Sequence, residues 1–98
     1  MHRVLISDVV REKLEKLEYY LVDELKLSEE AALKRSQRMR EFVGSLTIPT
    51  AYPLCRFSRW QLLGYRCAVF EKAWVFAYEI FTEGIIIRDM SHTAVLID

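Results

Sequence analysis

Three segments rich in aromatic and β-branched residues, 64–70 (GYRCAVF), 73–81 (AWVFAYEIF) and 84–90 (GIIIRDM), follow one another with only two residues in each gap. Such residues favour a pleated, half-buried strand. Breaks as short as Glu71-Lys72 and Thr82-Glu83 leave no length for a crossover, so neighbouring strands must run antiparallel through hairpins. The last third of the chain is therefore an antiparallel β-meander.

Upstream the period changes. Residues 2–6 (HRVLI) form a short apolar run that reads as an opening strand, and Ser7 and Asp8 then offer N-caps. Val10, Leu14, Leu17, Leu21 and Leu25 recur at steps of four, three, four and four, one continuous stripe of an α-helix. Ser28 caps a second helix, with Glu29 and Glu30 in its first turn. Its inner stripe is Ala32, Ser36, Met39, Val43 and Leu46, while Lys34, Arg35, Arg38 and Glu41 look outward. Two helices of about 18 residues with almost no linker fold back antiparallel. Pro49 and Pro53 end this region, and residues 54–63 read as an arginine-bearing strand with Phe57 and Trp60. A tail strand over 93–97 completes the expectation. The order β-α-α-β-β-β-β is an α+β domain with the helices on one face of the sheet. At 98 residues it is a single domain spanning residues 1–98.

Opposed residues in antiparallel strands share a face. A two- or four-residue turn at Glu71-Lys72 puts Tyr65, Cys67, Val69, Trp74, Phe76, Tyr78 and Ile80 on an apolar face against the helices. Arg66, Ala68, Phe70, Ala73, Val75, Ala77 and Glu79 then form the other face, where a cleft is expected. A two-residue Thr82-Glu83 turn gives the row Arg66, Ala77, Arg88; a three-residue loop with left-handed Gly84 gives Arg66, Ala77, Asp89. Both registers are open at this level.

The formal net charge is zero but unevenly spread. Residues 8–30 hold eight acids and four bases, residues 34–66 seven bases and one acid. That basic middle can attract a polyanion. Cys55 and Cys67 lack CxxC spacing and are expected as two reduced, partly buried thiols. No metal or cofactor motif is present, nor a Gly-rich phosphate loop, HExxH or GxSxG. The first six residues are too short and charged for a secretory leader, and no apolar run approaches membrane-spanning length, so a cytoplasmic protein without membrane contact is expected. His92, in the range where imidazole titrates, is the best general acid or base on offer.

Taken together, the opening strand, helical hairpin, Pro-containing link and meander resemble the RelE/ParE toxin family of type II toxin–antitoxin systems. The segment Gly64-Tyr65-Arg66-Cys67-Ala68-Val69-Phe70 is similar to that family's "YR" strand, and 84–92 (GIIIRDMSH) to its final strand. The resemblance implies a cognate antitoxin as partner. For RelE-type members it implies ribosome-dependent cleavage of mRNA. Arg66 would then stabilise the phosphate, with Arg88 beside it in the register of a two-residue turn, and His92 would be the candidate acid or base. Arg56 and Arg59 would hold RNA through its backbone, with Trp60 or Phe70 available to stack on a base. Beyond His92 the tail (TAVLID) carries no Lys, Arg or Tyr. That tail and the long matched helices are similar to ParE-type members, which inhibit DNA gyrase by binding and perform no chemistry. A family relative without toxicity is the third alternative.

Overall fold

The computed structural model describes residues 3–24, 26–46 and 52–93. In chain order the elements are β1 (Arg3–Ile6), α1 (Asp8–Glu15), α2 (Leu17–Asp23), α3 (Glu29–Gly44), α4 (Ser58–Gln61), β2 (Arg66–Phe70), β3 (Trp74–Phe81) and β4 (Gly84–His92). The architecture is α+β around a four-stranded mixed sheet of order β1-β4-β3-β2. β1 runs parallel to β4, from Arg3 opposite Gly84 to Ile6 opposite Ile87, and the other pairs are antiparallel. His2 and the proposed strand beyond Thr93 lie outside the described residues.

Local chemistry explains the helices. The Ser7 hydroxyl accepts from Val10 N–H and that of Ser28 from Ala31 N–H, so both expected caps form. The expected single first helix is instead two segments meeting at Lys16. At that break the Leu14 carbonyl accepts from the Arg40 guanidinium at 3.1 Å, a side chain reaching in from α3. The apolar stripe survives, because Val10, Leu14, Leu17 and Leu21 are all buried. α2 ends with Lys26 in the left-handed region (φ 58°) and Leu27 N–H donating back to Leu21 O, one of the last four carbonyls of the helix. Ala32, Ser36, Met39 and Val43 form the buried stripe of α3, as their spacing implies, and Leu46, expected to continue it, is buried just beyond the helix end.

Two expectations about the strands fail. Residues 54–63 do not form a strand. Leu54 makes one isolated bridge to Arg66, and the chain then turns into α4, which drives Trp60 into a small second core. That core, with Cys55, Cys67, Val75 and Ala77, lies across the sheet from α1–α3, so the helices are not all on one face. The face assignment of β2 also reverses. Three residues, not two or four, separate Phe70 from its partner Trp74, with Glu71 (φ 49°) and Lys72 (φ 61°) both left-handed and Ala73 N–H donating to Phe70 O. Changing the loop by one residue flips a strand's two faces. Ala68 and Phe70 therefore pack against the helices beside Phe76 and Trp74, with the Phe42 ring 5.2 Å from that of Phe70. Cys67 and Val69 turn to the second face, across from Ala77 and Val75.

The thiols are also corrected. Cys55 and Cys67 are joined in a disulfide. The link after Pro53 doubles back along β2, with Cys55 N–H on Tyr65 O and Cys67 N–H on Pro53 O. This places two cysteines 12 positions apart in sequence with their Cα atoms 4.9 Å apart, well within bridging range.

Candidate functional site

The β3–β4 turn is the two-residue one, since Phe81 pairs with Gly84. A bulge between Ala77 and Tyr78 nevertheless shifts the register, so Ala77 faces Asp89 and Tyr78 faces Ile87. Arg88 is the extra residue at that bulge. Neither expected row forms, because Arg66 stands opposite Tyr78 rather than Ala77.

The three residues expected to work together occupy three places. Arg66 is half-buried, and its Nη1 donates to the Tyr52 carbonyl at 2.5 Å, tying the link segment to the sheet. Arg88 is exposed and donates from Nη2 to Glu79 at 2.8 Å. Glu79 neighbours Tyr78 on β3 and so points to the opposite face from Arg66. His92 ends β4 opposite Trp74, with the two rings edge-on and 5.0 Å between centroids. Four positions along the sheet and two strands across place its backbone roughly 16 Å from that of Arg66. Asp89 is held by Lys13 Nζ at 2.7 Å.

Two concave regions stand out among the described residues. The larger, about 800 Å³, lies on the second face between the link and β2–β3. Arg56, Phe57, Val69, Lys72, Val75 and Thr93 line it, so one expected RNA contact falls in an open, cationic cleft. Arg59 lies on α4 with its guanidinium 4.9 Å from the Trp60 ring centre. Trp60 is 3% exposed inside the second core, so it offers no ring face to a base. Phe70 is likewise buried. The smaller cavity, about 290 Å³, lies between α1–α2 and the end of β3–β4. Lys13, Lys16, Leu17, Tyr20, Trp74 and His92 are among its lining residues. Sequence reasoning picked only His92 from this set. The signal was present in the positions 13, 16, 17 and 20, which share one helical face.

Electrostatics separate these groups further. Burial pushes the Tyr78 phenol above its usual range, partly opposed by the Arg66 charge and a hydrogen bond with the Tyr52 backbone. The bond to Glu79 raises Arg88 further, so that guanidinium is always charged and neutralised in place. Lys16 and Glu12 move apart through their mutual hydrogen bond, Lys16 upward and Glu12 downward.

No family model and no curated protein matches this chain. Among the described residues, no group of three or more His, Cys, Asp or Glu could hold a metal ion, and no helix is long and apolar enough to cross a membrane.

Proposed function

We propose that the chain is the toxin of a type II toxin–antitoxin pair of the RelE/ParE kind, and that it acts by binding its target, DNA gyrase, without chemistry of its own. The observation supporting a binding mode is the separation of Arg66, Arg88 and His92. Attack of a 2′-hydroxyl on phosphate needs an acid, a base and a cation within hydrogen-bond reach of the reacting atoms. Here two guanidiniums are committed to Tyr52 and Glu79, on opposite faces, and the imidazole sits against Trp74. Purified protein is expected to inhibit gyrase supercoiling and to leave ribosome-bound mRNA uncut. Cleaved mRNA with intact supercoiling refutes this reading.

The second reading, mRNA cleavage on the ribosome, draws support from the cleft that holds Arg56 and Lys72. It requires Arg56→Ala to weaken RNA binding with a reduced salt dependence, because phosphate contacts release counterions. An unchanged salt slope removes that support.

The antitoxin is the partner in either case. The link covers the outer edge of β2 as far as Cys67, and beyond it Val69 is 49% exposed, where the sheet edge can accept a strand from another chain. Co-expression with the product of the neighbouring gene is expected to yield a complex with slowed exchange of the β2 amides. Absence of a complex counts against the toxin assignment itself.

A further inference from the structure

We propose that the 290 Å³ cavity between α1–α2 and the end of the β3–β4 hairpin is a binding site for a small carboxylic acid with a compact apolar body. Its volume sits at the lower end for small-molecule pockets, where a single ring with a short chain fits. The walls are Leu17, Tyr20, Trp74 and Met90, and Lys13 and Lys16 also line it. None of this depends on the toxin reading.

Three features select the ligand's chemistry. First, Trp74 is 6% exposed, and its Nε1 is buried with no hydrogen-bond acceptor among the described residues. Buried donors in native proteins almost always have an acceptor, so a ligand oxygen satisfies this one once a small shift of the indole opens Nε1 to the cavity. Tyr20 and His92 stand edge-on to the indole, with ring centroids 5.6 and 5.0 Å away. Second, an ammonium has three donors. Lys13 uses donors on the Asp89 carboxylate (2.7 Å) and the Met90 carbonyl (2.8 Å), which leaves one for a ligand oxygen. Third, Lys16 pairs with Glu12 across one exposed helix turn, a weak pair that a carboxylate at the cavity readily replaces. A carboxylate thus supplies an acceptor for the indole and a charge for the lysines, while its apolar remainder covers Leu17, Tyr20 and Met90. A cation of the same shape meets two lysines and offers no acceptor.

The test uses 3-phenylpropionate and the matched cation 3-phenylpropylamine. The sequence has two tryptophans, so the amide-correlation spectrum carries two indole peaks. Trp74 is identified by loss of its peak in Trp74→Phe, or by contacts to the Tyr20 ring should that variant fail to fold. Trp60, in the second core, is the internal control. The acid is expected to shift the Trp74 indole peak saturably and leave Trp60 in place. The amine is expected to shift neither, and Lys16→Glu to weaken the acid by about fivefold. The proposal is overturned if the acid gives no saturable shift at Trp74, if the amine shifts it equally, or if Lys16→Glu leaves the affinity unchanged.

Discussion

Opening the Cys55–Cys67 bond is expected to lower stability by about 3 kcal/mol, the chain-entropy value for a closed loop of this length. For a domain of this size that corresponds to a fall in melting temperature of about 12–24 °C. The loss should be regional. Cys55 is fully buried and Cys67 is 9% exposed, both in the small core with Trp60, whereas the larger core under α1–α3 contains neither cysteine. The link also keeps its other ties, Cys55 N–H to Tyr65 O and Arg66 to Tyr52 O, so the helices should stay packed while the second face loosens. Thermal melts followed by circular dichroism, with and without reductant, measure the first effect. Trp60 fluorescence measured below the transition reports the second. Cys55→Ala/Cys67→Ala should match the reduced protein. A shift under about 4 °C, or two titratable thiols in the unreduced protein, refutes the argument.

Gly84→Ala would place a Cβ 2.0 Å from the Arg3 carbonyl oxygen, so β1 must move off β4; a loss of about 2 kcal/mol or more and fast exchange of the β1 amides are expected on denaturation and hydrogen-exchange measurements. Leu17→Ala, at the centre of the buried helical stripe, should cost about 2–5 kcal/mol in denaturant unfolding. Arg66→Ala should cost about 1–3 kcal/mol by losing a half-buried, charged hydrogen bond, while Arg88→Ala, which breaks only an exposed pair, should stay within about 0.5 kcal/mol; the reverse order would contradict the observed register. Because the Tyr78 phenol is raised in the fold, its contribution is complete below the unfolded tyrosine value of about 10 and is lost as pH climbs toward the folded value; Tyr78→Phe should flatten alkaline unfolding curves in that window.

What could be read from sequence was whatever depends on neighbours in the chain. Ser7 and Ser28 cap the helices because a hydroxyl two or three positions before free N–H groups needs nothing else. The stripes of α1–α3 and the three strand segments follow from period alone. The disulfide was not legible, because its geometry depends on the link doubling back along β2. α4 was missed because one four-residue turn leaves no period to detect, and Phe57 at its N-cap makes no side-chain cap bond. The bulge at Arg88 left no mark either, since any residue can be the extra one and the pairing it disturbs is non-local. At the small cavity, His92 was found as a titratable residue, but Trp74 was read only as core. Its missing acceptor is a property of the surroundings that no sequence pattern carries.

The position of Arg66 turns on a single residue of loop length. A two-residue Glu71-Lys72 turn would set Arg66 in the row of Ala77 on the second face, where Arg88 meets Glu79. It would also withdraw Ala68 and Phe70 from the larger core and drive Cys67 and Val69 into it. Phe70 is the largest of these four side chains, and at 8% exposed it packs beside Phe42. Exposing it would forfeit about 1.5–3 kcal/mol, and Val69, exposed in the observed register, would recover only part of that. The Cys55–Cys67 bridge would be lost as well, with its contribution of about 3 kcal/mol. The left-handed conformations of Glu71 and Lys72 cost about 1–2 kcal/mol each, but a two-residue turn would also need φ > 0 at one or both of them, so the strain does little to favour it. Glu71 recovers part of that cost through Arg38 at 2.9 Å and Arg35 at 3.6 Å. Core packing and the bridge therefore outweigh the turn strain, and Arg66 is left on the helix-side face, where it clamps Tyr52. A polyanion approaching the cleft on the second face would meet Arg56 and Lys72 instead, the two cations that line it.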